Sequence, residues 1–168
     1  VHKAREEKQN IPHRNRARSE QLVMELNFDR IIRLKKIRIK KSELSEEENA
    51  ISTPILSDKS LIYEIYKIFA EILNERDCPP CLENVTQRKK FIFIILYLFS
   101  PSTLAGGKTV YGIRGEIAKV VGIQSESTIS NNCEDVVFLY QNYDDFSEDI
   151  GYLYTEIINR LKFKGLIN

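Results

Sequence analysis

The sequence predicts a mostly α-helical protein, a small helical bundle with a basic arm at its N-terminal end. Two stretches, 61–73 and 146–161, carry apolar side chains at helical spacing. The third observation is charge. Residues 1–41 hold 13 Lys and Arg against 5 Asp and Glu, whereas residues 42–168 hold 12 against 19, so a net charge of +1 conceals a basic arm and an acidic body. Such an arm binds either a polyanion or an acidic protein surface, its own or a neighbour's.

Length and composition exclude several classes. A chain of 168 residues with 42% apolar and 29% charged residues fits one domain plus an arm, and most of it should fold. The longest apolar run, 91–99, is about half of the ~20 residues that span a bilayer, so no membrane helix is expected. The first residues lack the apolar stretch of a secretory signal, and three cysteines form no disulfide framework. We therefore expect a cytoplasmic protein.

The basic arm covers residues 1–41. Residues 1–20 have almost no large apolar side chains, so we expect them to be frayed or to be ordered only by a partner. A helix is predicted from Gln21, but residues 30–41 (RIIRLKKIRIKK) suit either a strand or a helix. This segment is either a solvated element or a basic element that follows a nucleic-acid backbone through Lys35, Lys36 and Arg38.

Residues 42–57 are predicted to be an acidic linker, because a Glu-rich run precedes Pro54. A helical domain is expected over 58–168. Its first helix, over the 61–73 stripe, can be capped by Asp58 or Ser60.

Two further helices are predicted in this domain. One begins near Asn84 and runs to about Ser100, and its all-apolar second half should lie at the centre of the core. Pro101, Gly106 and Gly107 then indicate a loop. The last helix covers about 144–162, with Asp144 or Ser147 as its cap and five apolar positions: Phe146, Ile150, Leu153, Ile157 and Leu161.

The segment 111–140 predicts two short amphipathic helices joined by a tight turn. Gly122 can end the first helix in the left-handed conformation, Ile123 can fold back under the turn, and Ser125 can cap the second helix. The apolar positions of the first helix are Ile113, Ile117, Val120 and Val121, and those of the second are Ile129, Cys133, Val136 and Tyr140. Such a pair can cross steeply and share one core.

This segment resembles the helix-turn-helix unit of bacterial repressors, transposases and sigma-type domains. The matching residues are 115–123 (GEIAKVVGI) followed by 127–130 (STIS), and the resemblance covers about 25 of the 168 residues. Ile129 lies seven residues after Gly122, where the family has six, so the turn must hold one extra residue. Residues 90–140 are also loosely similar to uncharacterised proteins of gut bacteria, their phages and mobile elements.

The resemblance implies a DNA partner, with the second helix in the major groove. Polar residues of that helix would contact bases, and nearby cations would contact phosphates. The first group consists of Ser125, Ser127, Thr128, Ser130 and Asn131, and the second of Lys108, Arg114 and Lys119. Among them, Asn131 can pair bidentately with adenine.

The local charge opposes this interpretation, because residues 108–141 hold three cations against four carboxylates. Glu126, Glu134 and Asp135 lie on or beside the proposed reading helix, so DNA binding would need the arm, residues 88–90 or dimerisation. The alternative is a protein assembly or adaptor module, such as a phage structural protein, that binds protein partners or forms a homo-oligomer.

The sequence gives little support for zinc binding, nucleotide binding or catalysis. Cys78 and Cys81 have the spacing of a zinc half-site, but the remaining ligands would be Cys133 and two histidines of the arm, so packed or idle thiols are the main interpretation. Residues 106–109 (GGKT) lack the earlier glycine of a phosphate-binding loop. With both histidines near the N-terminus, no catalytic triad is plausible, and we expect a non-enzyme without metal or cofactor.

Overall fold

A computed structural model describes residues 13–80 and 83–168, with side chains from residue 29 onward. This part of the chain contains helices and no strand, which confirms the mostly-α prediction. The helices are α1 (His13–Ser52), α2 (Leu61–Glu75), α3 (Val85–Phe99), α4 (Pro101–Leu104), α5 (Ile113–Val120), α6 (Glu126–Asn142) and α7 (Asp144–Phe163). The chain divides into two compact units, one ending at Glu48 and the other spanning Asn49–Asn168.

Helix α1 resolves the ambiguous segment 30–41 as helix and corrects the predicted linker over 42–57. Its first eight residues belong to the stretch 1–20, which the sequence predicts to be frayed or ordered only by a partner; residues 1–12 lie outside the described part. The helix continues as far as Ser52, because the acidic run contains good helix formers and no glycine or proline. Pro54 disfavours helical backbone at Thr53, so the helix ends there.

Helix α3 lies at the centre of the second unit, as predicted. Its apolar run 91–99 is buried except at Tyr97, and the helix packs against every other helix of this unit. Asn84 caps it as predicted, because its side-chain oxygen accepts a hydrogen bond from the Gln87 backbone N–H at 3.0 Å. Phe91 also meets Phe69 of α2 edge to face, with ring centroids 5.3 Å apart.

Helix α7 packs across α2, and all five of its predicted apolar positions are buried. The predicted cap is wrong, because Tyr143 occupies the cap position and its side chain accepts no hydrogen bond from the backbone N–H groups of the first turn. Before α2, the Asp58 carboxylate accepts bonds from the backbone and hydroxyl of Ser60, an Asx turn that replaces a side-chain cap. Within the described residues, no helix combines the length and apolar character that crossing a membrane requires.

The short helix α4 replaces the start of the predicted loop after Pro101. Proline suits the first position of a helix, where its missing N–H loses no bond. The buried hydroxyls of Ser100 and Thr103, 2.8 Å apart, hold this turn together. The Ser100 hydroxyl also accepts a bond from the Val110 N–H at 2.9 Å, which positions the chain that leads into α5.

Candidate nucleic-acid interface

Helix α5 is the inner helix of the candidate pair. It starts after Gly112, whose φ of 84° is in the left-handed region, and it buries Ile113, Ile117 and Ala118 in the core. Val121, at its C-terminal end, is buried as well. The predicted apolar face is therefore present, and α5 packs against α2, α3 and α6.

The connection to α6 is a sharp turn over 121–125. Gly122 has a φ of 68°, and the Ile123 N–H donates to the Ala118 carbonyl at 2.9 Å, the bond of a Schellman motif. Ile123 is partly buried and packs against the core, so the chain folds back as the sequence predicts. This turn separates α5 from α6.

Ser125 occupies the predicted cap position of α6. Its Oγ accepts a hydrogen bond from the Ser127 N–H at 3.3 Å, and its carbonyl accepts one from Thr128 at 3.1 Å. The carboxylate of Glu126 lies against Gly115 of α5, where a Cβ would be 3.1 Å from Oε1. The absence of a side chain at Gly115 therefore lets the start of α6 approach α5 closely.

The inner side of α6 packs on α3. Ile129 and Val136 are fully buried and Cys133 is half-buried, as the apolar spacing predicts. Tyr140 is partly exposed, but its ring stacks on Phe93 with centroids 4.6 Å apart. Burial raises the pKa of the Cys133 thiol, which disfavours the thiolate that a nucleophile or metal ligand requires.

The outer side of α6 carries the predicted base-contacting residues. Ser127, Thr128 and Asn131 are exposed in the first half of the helix, and Ser125 is exposed at its start. Ser130 differs, because it is half-buried and its hydroxyl donates to the Glu126 carbonyl at 3.4 Å. Four of the five predicted residues thus share one accessible polar surface.

The predicted phosphate-contacting cations are dispersed. Arg114 is half-buried, and its Nε donates to the Thr109 hydroxyl at 3.0 Å. Lys119 pairs with Glu116 of its own helix at 2.6 Å, and Lys108 is exposed in the preceding loop. The arm residues Lys35, Lys36 and Arg38 belong to the first unit, where they are exposed on α1.

One carboxylate of α6 has an ion-pair partner that the count of local charges in the sequence did not include. Lys89 of α3 lies 3.1 Å from the carboxylate of Asp135, so one of the three acids on or beside this helix is partly neutralised. The two residues are 46 positions apart, and no local pattern in the sequence indicates their contact. Glu126 and Glu134 remain exposed.

Several surface cavities border α6. One, of about 400 Å³, has a mixed polar and apolar lining that includes Arg114, Ser130 and Glu134. Another, of about 230 Å³, is mainly aromatic, with Tyr97, Tyr140 and Tyr154 in its lining. Both open to the surface.

The cysteine pair that resembles a zinc half-site is only partly described, because Cys81 falls outside the described residues. Over the residues that the structure does describe, no three His, Cys, Asp or Glu side chains come together as a metal site would require. Cys78 is half-buried, and its thiol donates weakly to the Arg76 carbonyl at 3.7 Å.

Comparison with known proteins finds no match to the chain among protein-family models, curated proteins or solved structures.

Proposed function

We propose that this chain is a non-catalytic DNA-binding protein that uses residues 111–140 as a helix-turn-helix unit. Helix α6 would enter the major groove, and the basic arm would add phosphate contacts. The observation that supports this function best is the exposed polar row of Ser127, Thr128 and Asn131, which directly follows the turn at Gly122. The opposite side of the same helix is held in the core, so the row has a fixed orientation.

Each outward residue has chemistry suited to this task. Asn131 can bind adenine bidentately, because its amide NH2 group donates to N7 and its amide oxygen accepts from the N6 amino group, a contact that discriminates between bases. Ser127 and Thr128 can each donate or accept a hydrogen bond and tolerate several bases. The backbone N–H groups at the start of α6 favour a phosphate, with Ser125 beside them.

Most of the phosphate contacts in this proposal come from the basic arm. Because Arg114 and Lys119 already have hydrogen-bonding partners within their own unit, few cations beside α6 remain available. Helix α1 carries five Lys and Arg within residues 30–38, and every side chain there is exposed. Contacts of this kind release counterions, so the binding constant should fall steeply as salt increases.

The test begins with selection of duplexes from a random pool by the full chain, followed by a gel-shift titration over salt concentration. Asn131→Ala should weaken binding to the selected site by about five- to a hundredfold while binding to unrelated DNA is unchanged. Asn159→Ala, an exposed asparagine on α7, is the matched control. If no duplex is enriched and binding does not depend on salt, the proposed function is wrong.

A second comparison separates the helix from the arm. The variant Lys35→Ala/Lys36→Ala/Arg38→Ala should weaken binding to all sequences and reduce the log–log salt slope by about 2 to 3. If this variant abolishes binding while Asn131→Ala leaves the sequence preference intact, the arm alone contacts DNA and the role of α6 is wrong.

The second candidate function is a protein assembly or adaptor module. The aromatic cavity favours it, because Tyr97 and Tyr140 are partly exposed beside it and tyrosine is enriched in protein interfaces. This function predicts stable protein complexes together with weak affinity for DNA. Light scattering on the sample used for the salt titration distinguishes the two functions.

A further inference from the structure

Helix α1 exposes a long surface that is unusual for a helix in water. Every described side chain from Asp29 to Glu48 is solvent-exposed, including the apolar Ile37 (52%) and Leu44 (64%). Helices in proteins gain most of their stability by packing an apolar side, and large exposed apolar groups commonly mark a contact surface. This helix therefore has the properties of one half of an interface.

The spacing along α1 defines the side that would be covered. Ile37 and Leu44 are seven residues apart, so they lie on one side of the helix. Lys40 and Lys41 flank this line before Leu44, and a pair of glutamates flanks it after Leu44. We call this surface, formed by Ile37, Lys40, Lys41, Leu44, Glu47 and Glu48, the α1 seam.

We propose that the α1 seam binds a second copy of this chain in antiparallel orientation, centred on Leu44. In that register, residue 40 of one copy lies opposite residue 48 of the other, and residue 41 lies opposite residue 47. Each copy then sets its two lysines against the two glutamates of its partner, and the two Leu44 side chains meet at the centre. A parallel pair would place lysine on lysine and glutamate on glutamate.

The charge order explains why a second copy fits better than a polyanion. A nucleic acid would meet Lys40 and Lys41 but would be repelled by Glu47 and Glu48 on the same side of the helix. Lys35 and Arg38 lie outside the seam, with Lys35 on the opposite side of the helix, so dimerisation leaves them accessible. The α1 seam is thus distinct from the phosphate-contacting residues of the arm, and the inference does not depend on DNA binding.

Sedimentation equilibrium of the full chain at low salt tests the dimer. The wild-type chain should dimerise, and Lys40→Glu/Lys41→Glu and Glu47→Lys/Glu48→Lys should each raise the dimer Kd by about tenfold or more. An equimolar mixture of the two variants should form a heterodimer, because opposite charges then face each other. The control Lys35→Glu/Arg38→Glu changes the net charge equally outside the seam and should leave the dimer Kd unchanged.

Disulfide formation tests the orientation, in a background where the three native cysteines are replaced by serine. Leu44→Cys should cross-link two copies, whereas Lys40→Cys should not, because the two residues 40 would lie about 12 Å apart along an antiparallel pair. Circular dichroism identifies any variant that has lost helix. A wild-type chain that stays monomeric, that dimerises only when DNA is added, or that cross-links through Lys40→Cys would overturn the proposal.

Discussion

Lys90 of α3 and Asp149 of α7 form a salt bridge at 2.6 Å in which both side chains are largely buried. The same carboxylate accepts a second bond, also 2.6 Å, from Arg76 just beyond α2. Burial opposes the charge on Asp149, but the hydrogen bonds from Lys90 and Arg76 outweigh it and lower the pKa of this carboxyl. Asp149 thus connects three parts of the second unit.

Replacing Asp149 should therefore destabilise the second unit. Asp149→Asn leaves the buried Lys90 ammonium without its counter-charge, and we expect a loss of about 1–3 kcal/mol in the free energy of unfolding. Urea denaturation followed by circular dichroism measures this loss. The double variant Lys90→Met/Asp149→Leu removes both charges and should lose less; an equal or larger loss would contradict the assignment.

The lowered pKa of Asp149 predicts that the protein loses stability in acid. Because its folded-state pKa is lowered, its contribution to stability is present above the unfolded pKa of about 3.9 and is lost as pH falls through the folded value. The stability of the wild-type chain should decline below about pH 4, and Asp149→Asn should show a shallower decline over that range. Thermal unfolding at stepped pH values, with both proteins in the same buffers, compares the slopes.

The turn before α6 should depend on glycine. At the φ of 68° found for Gly122, any side chain meets the adjacent carbonyl, so Gly122→Ala should cost about 1–2 kcal/mol. Gly151→Ala is the control, because this glycine is helical and an added Cβ would contact nothing within 4 Å. The control should stabilise the protein by about 0.5–1 kcal/mol. Equal effects of the two changes would show that the turn imposes no backbone constraint.

Under the proposed DNA-binding function, Glu134 should weaken affinity without affecting selectivity. It is exposed one turn after Asn131, where its charge would repel phosphates. Glu134→Gln should therefore strengthen binding to all duplexes by about two- to fivefold at low salt, and less at high salt. Fluorescence anisotropy at two salt concentrations measures the change, with Glu148→Gln on α7 as control. An unchanged Kd would place Glu134 away from the DNA.

Patterns local to one helix were predictable from the sequence. The apolar stripe of α7 places all five expected side chains in the core, because a 3.6-residue period specifies which side of a helix is buried. Asn84 and Ser125 cap their helices as expected, since their short polar side chains can bond a backbone N–H two or three residues ahead. The turn at Gly122 follows from the same local rules.

Features that depend on competing or distant groups were less predictable. The acidic run after residue 42 indicated a linker, but its residues favour helix individually and α1 continues through it. The partners of Asp135 and Asp149 lie 46 and 59 positions away, so a count of nearby charges could not include them. The half-buried position of Ser130 likewise depends on how α6 packs, which the 3.6-residue period alone does not specify.

The buried and exposed sides of α6 differ in what a substitution would affect. Ile129 and Val136 hold the helix in the core, whereas Ser127, Thr128 and Asn131 face solvent in the same few turns. The three outward positions contribute no buried side chain to the core. Under the proposed DNA-binding function, the outer edge of α6 can therefore acquire a new sequence preference while Ile129 and Val136 keep the helix anchored in the core.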